Sequence, residues 1–159
     1  NQKKLIIAGG TKNDLIDYGI PLNESITFLG SLSQSEIAHY LSHALVTVIP
    51  SRNEAYGILV TEAICCGSPV VTTNVGGIPE IISIATALLD SYEKEIFYKW
   101  VKLVKPDSIS INNGINQIMD NNELFDEYLT LIPKIRIQFK WTHQLDVYQR
   151  IISKMMVYS

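Results

Sequence analysis

Cysteine is scarce in this sequence, and positive charge is not in excess. Its 159 residues include two cysteines, Cys65 and Cys66, and adjacent cysteines cannot form an ordinary disulfide with each other. We therefore expect a reducing compartment. Lys and Arg number 13 against 16 Asp and Glu, which gives a net charge of -3, and no run of five like charges occurs. Because a nucleic-acid module depends on a basic surface, no nucleic-acid partner is expected.

Long apolar runs are missing as well. No stretch approaches ~18 consecutive apolar residues, so no membrane-spanning helix is expected. The chain begins with Asn1-Gln2 and has neither an initiator methionine nor a signal peptide, which predicts a trimmed fragment of a longer protein. Hydrophobic residues make up 47% of the chain, which is enough to exclude disorder. The length fits one globular domain and is too short for two Rossmann-type lobes.

Short apolar runs alternate with helical patterns in the first half of the chain. The runs at residues 5–8, 26–30, 45–49 and 69–73 have the pattern of strands, the first of them buried on both faces. Ser33 and Glu36 form a capping box for a helix, and a second helix is predicted over residues 57–66, with Gly67 just beyond its end. The alternation predicts an α/β fold, with a Rossmann-like parallel sheet flanked by helices.

The second half has fewer clear signals. We predict a short helical turn at residues 79–82, a strand at 100–104, and helices at 109–119 and 124–132, with Asp107 as an N-cap. A helical carboxyl-terminal tail is predicted from apolar residues at three- and four-residue spacing: Leu145, Tyr148, Ile151, Ile152 and Met155.

Two carboxylates lie on either side of a predicted strand-to-helix junction. Glu54 precedes the helix over residues 57–66, and Glu62 lies within it. The junction is at the carboxyl end of a parallel strand, where ligands bind in open α/β sheets. The first amides of a helix lack intrahelical partners and the helix dipole is positive there, so a phosphate is bound without a metal ion. Gly57 allows that phosphate to approach the backbone closely.

Glu62 is unusual because most of its helical neighbours are apolar. A carboxylate in such a helix is costly unless hydrogen-bond donors reach it, and the hydroxyls of a ribose are suitable donors. Glu54 and Glu62 are separated by roughly 10 Å along the axis, which is about the span of a sugar, a diphosphate and a ribose. The alternative is that Glu62 caps a solvent-facing edge and Glu54 is an ordinary loop charge.

These residues resemble the motif of a known family. The residues that carry the resemblance are Pro50, Ser51, Glu54, Gly57, Glu62, Ala63, Gly67-Ser68-Pro69-Val70-Val71 and Gly76-Gly77-Ile78-Pro79-Glu80. From about residue 4 to residue 82 the chain is similar to the carboxyl-terminal, donor-binding half of retaining glycosyltransferases with the GT-B fold. That large group 1 family includes sucrose, glycogen and lipopolysaccharide glycosyltransferases.

The resemblance implies a site for a nucleotide sugar, with no metal and no cofactor other than this donor substrate. Glu54 would be the catalytic residue and contact the hexose hydroxyls, and Glu62 would contact the ribose. Arg52 would pair either with phosphate or with Glu54. The remaining residues of the implied site are the diphosphate-binding amides of Gly57, Ile58 and Leu59, the turn at Gly9 and Gly10 near the nucleotide, and the backbone of Phe28 and Leu29 near the base.

The resemblance also implies missing parts. The whole chain is expected to be one donor-binding lobe, with a motif-bearing core over residues 1–82 and a divergent segment with helices over 83–159. The amino-terminal acceptor-binding lobe would be supplied in cis or in trans, and the chain alone is expected to lack activity. The implied location is cytoplasmic, with peripheral membrane contact through a lipid-linked acceptor. The alternatives are a non-catalytic nucleotide-sugar-binding module and one subunit of a split enzyme.

Other candidate features have weaker signals. The segment 83–105 is interpreted as a decorated surface helix or as a contact to a partner or a membrane surface. His39 and His43 have the spacing of metal ligands, but they lack companion ligands and fall on a solvated face. Cys65 and Cys66 are expected to be packing residues, with no nearby cation to lower their pKa. A Rossmann oxidoreductase is disfavoured because the turn at Gly9 does not continue as a dinucleotide-binding glycine motif.

Overall fold

The protein was analysed as a computed structural model, which describes residues 4–21, 24–121 and 123–140. Its chain divides into two compact units, Asn1–Tyr40 and Leu41–Ser159, and each is described by itself. The predicted helix around residues 145–155 lies outside the described residues. The parallel strands and helices of the two units confirm the predicted α/β class.

The first unit contains a two-stranded parallel sheet. Strand β1 (Leu5–Ala8) pairs with strand β2 (Ile26–Gly30), and helix α1 (Lys12–Asp17) connects them. Both strands were predicted, whereas α1 was not. The expectation that β1 is buried on both faces was wrong, because Leu5 and Ile6 are 54% and 47% exposed. Among the described residues β1 has one neighbouring strand, β2, so its faces are less covered than those of a central strand.

Helix α2 (Gln34–His43) begins with the predicted capping box and continues into the second unit. The Glu36 amide donates to the Ser33 hydroxyl at 3.4 Å, and the Ser33 amide donates to the Glu36 carboxylate at 2.8 Å. The hydrogen bonds from the Ser33 hydroxyl and amide hold the pKa of the Glu36 carboxyl below its usual value.

The second unit is built on a three-stranded parallel sheet. Its strands are β3 (Thr47–Ile49), β4 (Val70–Thr73) and β5 (Val101–Val104), in the spatial order β3-β4-β5. All four residues of β4 are buried, as expected for a strand with a neighbour on each side. Up to residue 140, where the described part of the unit ends, the sheet is accompanied by the helices α3 (Ile58–Cys65), α4 (Ile78–Thr86), α5 (Ser91–Trp100), α6 (Ser108–Met119) and α7 (Phe125–Gln138).

Two helices of this unit are longer than predicted. α4 continues beyond the predicted turn at residues 79–82, because Ile81, Ile82 and Ala85 form a buried stripe. α7 continues through Pro133 to Gln138, and Pro133 lies on an exposed part of the helix. The N-cap prediction for α6 is confirmed, since the Ser110 amide donates to the Asp107 carboxylate at 2.8 Å.

The segment 83–105 is not a surface decoration, so that interpretation was wrong. Phe97 is fully buried and Trp100 is 6% exposed, and both rings contact Tyr128 of α7. Aromatic rings are large, so α5 and α7 together close one side of the core. Tyr92 and Tyr98 of the same segment are 57% and 45% exposed, and whether they contact a partner stays a prediction.

Gly67 ends α3 as the sequence predicted. Its φ of +77° is favourable only for glycine, and the amides of Gly67 and Ser68 donate to the carbonyls of Ile64 and Ala63. This pair of hydrogen bonds is the Schellman arrangement. A side chain at Gly67 would also collide with Leu129 of α7, at 2.9 Å from its Cδ2 atom.

Candidate functional site

The loop between β3 and α3 carries Glu54 close to the beginning of α3. One carboxylate oxygen accepts a hydrogen bond from the Gly57 amide at 3.1 Å and a longer one from the Tyr56 amide at 3.4 Å. The other oxygen accepts a long hydrogen bond from the Ser51 hydroxyl at 3.5 Å. Glu54 therefore points toward the helix start, and its negative charge lies where the helix dipole is positive.

Gly57 is the N-cap of α3 and has a left-handed backbone, with φ of +86°. An added Cβ would lie 3.4 Å from the Ile78 side chain and 3.5 Å from the Ile81 side chain. Both the conformation and the limited space therefore favour glycine at this position.

Three amides at the start of α3 have no hydrogen-bond acceptor among the residues that the structure describes. They belong to Ile58, Leu59 and Val60, and the first intrahelical bond is donated by Thr61 to the Gly57 carbonyl. The first two of these residues are not sealed inside the core, since Ile58 is 63% exposed and Leu59 is 43% exposed, whereas Val60 is fully buried. This helix start can therefore accept an anion from solvent.

The start of α4 is different, although it also follows a strand of the same sheet. The Gly77 amide donates to the Glu54 carbonyl at 3.2 Å, and the Ile78 amide donates to the Val75 carbonyl at 3.2 Å. The next residue, Pro79, has no N–H group. Most donors at the start of α4 are thus already used, so α3 is the better anion-binding helix of the two.

Glu62 lies one turn along α3 from Ile58, on the less buried face of the helix. The opposite face is formed by Val60, Ala63 and Ile64, which are fully buried. The Glu62 side chain is only partly buried, and in the described part of the chain it has no hydrogen bond or ion pair. The cost of burying the Glu62 carboxylate is therefore smaller than the apolar sequence of the helix suggested. The carboxylate is available to an external hydrogen-bond donor.

Arg52 is exposed in the loop that carries Glu54. The two ion pairs found among the described residues involve other side chains, and Arg52 has no salt bridge with Glu54. Its alternative role, contact with phosphate, stays a prediction.

The other predicted nucleotide contacts belong to the first unit. Gly9 follows β1 with φ of +81°, and its amide donates to the Gly30 carbonyl at 2.7 Å. Gly10 follows directly, and Phe28 and Leu29 are partly buried residues of β2. The roles of these four residues in nucleotide binding stay predictions.

Sequence reasoning missed a contact that holds the Glu54 loop. The hydroxyl of Thr73, at the end of β4, donates to the Ser51 carbonyl at 2.6 Å. A threonine at the end of a strand has no spacing signal, so only the structure reveals this partner. Gly76 and Gly77, which were noticed as a motif, contact the same loop, since a Cβ on Gly76 would collide with the Glu54 carbonyl oxygen.

The cysteines and histidines do not form a second site in the described residues. Burial raises the pKa of the Cys65 thiol, and the charge of Arg136 opposes this only in part. The expectation of no nearby cation was wrong, because the Arg136 Nε group donates to the Cys65 carbonyl at 2.7 Å. The Ser42 hydroxyl lies 3.1 Å from His43 Nδ1, and the described part of the chain contains no group of three or more metal-ligating side chains.

Comparison with known proteins identifies the family of the chain. Residues 1–128 match the family described as Glycosyl transferases group 1. The chain belongs to this family. The family predicted from the motif around Glu54 and Glu62 is thereby confirmed.

Two relatives show how much of a family member the chain represents. It is 33% identical over 143 residues to an uncharacterized glycosyltransferase of Methanocaldococcus jannaschii, covering 87% of this chain and 33% of the relative. It is 37% identical over 62 residues to D-inositol 3-phosphate glycosyltransferase of Thermobifida fusca, covering 38% of this chain and 14% of that protein. The chain therefore spans about a third or less of these relatives.

The fold is similar to part of a solved structure, sucrose-phosphate synthase from Thermosynechococcus elongatus. The TM-score is 0.68 at 22% identity, with 98% of this chain and 39% of that chain covered. At this identity the likeness concerns the fold, and it matches the α/β architecture of one GT-B lobe. Among the described residues, no helix has the length and apolar character needed to span a membrane.

Proposed function

We propose that the chain is the donor-binding lobe of a retaining glycosyltransferase, in which it binds a nucleoside diphosphate sugar. The whole protein would transfer a hexosyl group from this donor to an acceptor. Family membership supports sugar transfer, and the fold is the one expected for such a lobe. Because the chain spans about a third of the M. jannaschii relative, we propose that an acceptor-binding lobe completes the enzyme, in cis or in trans.

The observation that carries the proposal is the set of open amides at the start of α3. Ile58 and Leu59 are exposed residues whose N–H groups have no acceptor, and the N–H group of the fully buried Val60 has none either. Open donors at the positive end of a helix suit the diphosphate of a nucleotide sugar. Glu62, one turn further on with an unpaired carboxylate, suits the hydroxyls of the ribose.

Glu54 has two successive roles in this proposal. In the structure its carboxylate accepts the Gly57 amide, one of the groups that the sequence predicted for diphosphate binding. A diphosphate that uses this amide must displace the carboxylate, since two anions repel each other at the same donor. The displaced Glu54 would then contact the hexose hydroxyls, which makes it the proposed catalytic residue.

The reaction would use the helix as its source of positive charge. As the nucleoside diphosphate leaves the sugar, negative charge builds on the phosphate oxygens. Fixed amide dipoles stabilise this charge more strongly in the transition state than in the ground state, which lowers the barrier. In this proposal the amides of α3 replace a divalent cation at the diphosphate, so the reaction needs no metal.

Nucleotide binding tests the proposal directly. Uridine, guanosine and adenosine diphosphates are titrated into the chain by calorimetry, and their effect on thermal unfolding is recorded in parallel. At ~100 times its dissociation constant, a bound nucleotide adds about 2.7 kcal/mol to the free energy of unfolding. Failure of all three nucleotides to bind would contradict the proposal.

Glu62→Gln tests the ribose contact with a matched control. A hydrogen bond to a charged group contributes about 1.5 to 3 kcal/mol, so we expect nucleotide affinity to fall at least tenfold. Glu95→Gln changes an exposed acid on α5, outside the proposed site, and should leave affinity unchanged. Equal affinity of wild type and Glu62→Gln would remove Glu62 from the site.

Transfer activity separates an enzyme from a non-catalytic binding module. In a protein that contains both lobes, Glu54→Gln should abolish transfer and leave nucleotide affinity within a few-fold of wild type. Unchanged turnover would remove Glu54 from the reaction. A two-lobed protein that binds nucleotide sugars but transfers nothing would favour the binding module. The cytoplasmic location and the lipid-linked acceptor stay predictions.

A further inference from the structure

The Glu54 loop is held to the sheet by a buried hydroxyl. Thr73 is fully buried, and its side chain donates a 2.6 Å hydrogen bond to the Ser51 carbonyl, across 22 residues of sequence. The Ser51 hydroxyl in turn reaches the Glu54 carboxylate at 3.5 Å. A continuous chain of contacts therefore leads from β4 to the proposed catalytic carboxylate.

The opposite side of the same loop rests on two glycines. The Gly77 amide donates to the Glu54 carbonyl at 3.2 Å. A side chain on Gly76 would collide with this carbonyl, and a Cβ on Gly77 would lie 2.6 Å from the Ala55 carbonyl oxygen. The backbone of residues 54 and 55 is thus fixed between the end of β4 and the start of α4.

Thr72 offers an internal comparison, because it is the neighbouring residue of the same strand. It is also fully buried, and its hydroxyl donates to the Ile49 carbonyl at 3.3 Å. Ile49 is the last residue of β3, so this bond ties strand to strand. Thr73 differs because its acceptor lies in the loop that carries Glu54.

We infer that Thr73 is a positioning residue, whose hydroxyl fixes the Ser51–Glu54 loop and thereby the orientation of Glu54 against the first amides of α3. The inference rests on the proposed function for its consequence in sugar transfer. Its structural part, the placement of the Glu54 carboxylate by Thr73, stands independently of any ligand. Small displacements of catalytic groups slow the reaction strongly.

The test uses Thr73→Val, which removes the hydroxyl and keeps the shape of the side chain. Amide resonances of Tyr56 and Gly57 report the contact with Glu54, and they are followed by NMR in protein without nucleotide. We expect both to shift in Thr73→Val and to stay near their wild-type positions in Thr72→Val. The conservative change Thr73→Ser keeps the hydroxyl and should restore the wild-type resonances.

Transfer in a protein that contains both lobes is the second measurement. Thr73→Val should lower turnover about tenfold and leave nucleotide affinity within a few-fold of wild type, whereas Thr73→Ser and Thr72→Val keep turnover within about twofold. Both valine variants lose a buried hydrogen bond, so a similar loss of stability is expected in each. Stability therefore does not distinguish them, but turnover does.

Several results would overturn the inference. One is a Thr73→Val protein with wild-type amide resonances at Tyr56 and Gly57, and another is an equal change of turnover in the two valine variants. If Thr73→Val does not fold, Thr73→Ala removes the same hydroxyl and should give the same shifts and loss of turnover. A wild-type chain that binds no nucleotide contradicts the proposed function alone, and the resonances still decide the role of Thr73.

Discussion

The start of α3 and the interface between α5 and α7 differ in how far their side chains are buried and their polar groups are hydrogen-bonded. At the start of α3, apolar Ile58 is exposed and backbone amides are left without acceptors. Between α5 and α7, Phe97 is fully buried, and the buried Tyr128 hydroxyl has an acceptor, the Ser68 carbonyl at 3.0 Å. The first region leaves backbone donors open beside exposed side chains, whereas the second is buried, although the Trp100 Nε1 group there has no hydrogen-bond partner among the described residues.

This difference predicts that the start of α3 contributes mainly to ligand binding and that the interface between α5 and α7 contributes mainly to stability. Burial of large aromatic side chains contributes several kcal/mol to folding, whereas an open helix start contributes little and is free to bind an anion. We therefore expect substitutions between α5 and α7 to lower the free energy of unfolding with little effect on affinity. Substitutions around the start of α3 should do the reverse.

The largest effect is expected for Phe97→Ala. Removal of a fully buried ring leaves a cavity beside Tyr128 and should cost about 3 to 5 kcal/mol in the free energy of unfolding, measured with urea. Tyr98→Ala is the control, since this neighbouring ring is 45% exposed and should cost much less. Equal losses in the two variants would contradict the assignment of the core.

Gly67→Ala should have the next largest effect. The left-handed backbone and the collision with Leu129 together should cost on the order of 2 kcal/mol, measured by thermal unfolding. Gly19→Ala is a control that isolates the backbone contribution, because Gly19 has φ of +68° and nothing within 4 Å of an added Cβ. If Gly67→Ala and Gly19→Ala lose the same free energy of unfolding, the contact with Leu129 adds no cost, because α7 adjusts to the added methyl group.

Tyr128→Phe removes only a hydroxyl from the interface between α5 and α7. The Ser68 carbonyl would lose its donor inside the core, so we expect a loss of about 1 kcal/mol in the free energy of unfolding, with nucleotide affinity unchanged. Burial raises the pKa of Tyr128, so its hydroxyl stays a neutral donor at physiological pH. A change of nucleotide affinity in Tyr128→Phe would contradict the claim that the interface between α5 and α7 affects stability and not binding.

The smallest effect is a pH dependence at the edge of the interface between α5 and α7. The Lys134 ammonium donates to the Glu93 carboxylate at 2.6 Å and, together with the Asp90 amide, lowers the pKa of Glu93. A lowered pKa means that the folded protein prefers the carboxylate. This stabilisation is present at neutral pH and is lost as pH falls through the pKa of Glu93 in the folded state.

Unfolding by urea between pH 7 and pH 3 measures this dependence. The stability difference between wild type and Glu93→Gln should shrink as the solution becomes more acidic. Glu95→Gln, an exposed acid on the same helix, should show no such trend. If the difference between wild type and Glu93→Gln does not vary with pH, the ion pair between Glu93 and Lys134 does not contribute to the free energy of unfolding.

The parts of the fold that follow local rules could be predicted from sequence. Strands β3 and β4 appear as β-branched apolar runs, the Ser33 box begins α2, and Gly67 ends α3. Each of these signals comes from residues within a few positions of one another. The acidic pair Glu54 and Glu62 could be recognised for the same reason, because both flank one helix start.

The parts that depend on distant contacts could not be predicted. α1 is short and buries no residue, so it lacks an apolar stripe. The aromatic rings of α5 look like a surface decoration until α7 is packed against them, about 30 residues later in sequence. Thr73 bonds a carbonyl 22 residues away, and the Gly57 amide is already occupied by Glu54. Neither partner is marked by spacing.

Amide shifts during a nucleotide titration test the central claim most directly. The ¹⁵N-labelled chain is titrated with uridine, guanosine and adenosine diphosphates, and the amides of Ile58 and Leu59 are followed. The account predicts that these amides shift most and that those at the capped start of α6 stay in place. Saturable binding that leaves the α3 amides unmoved would contradict it.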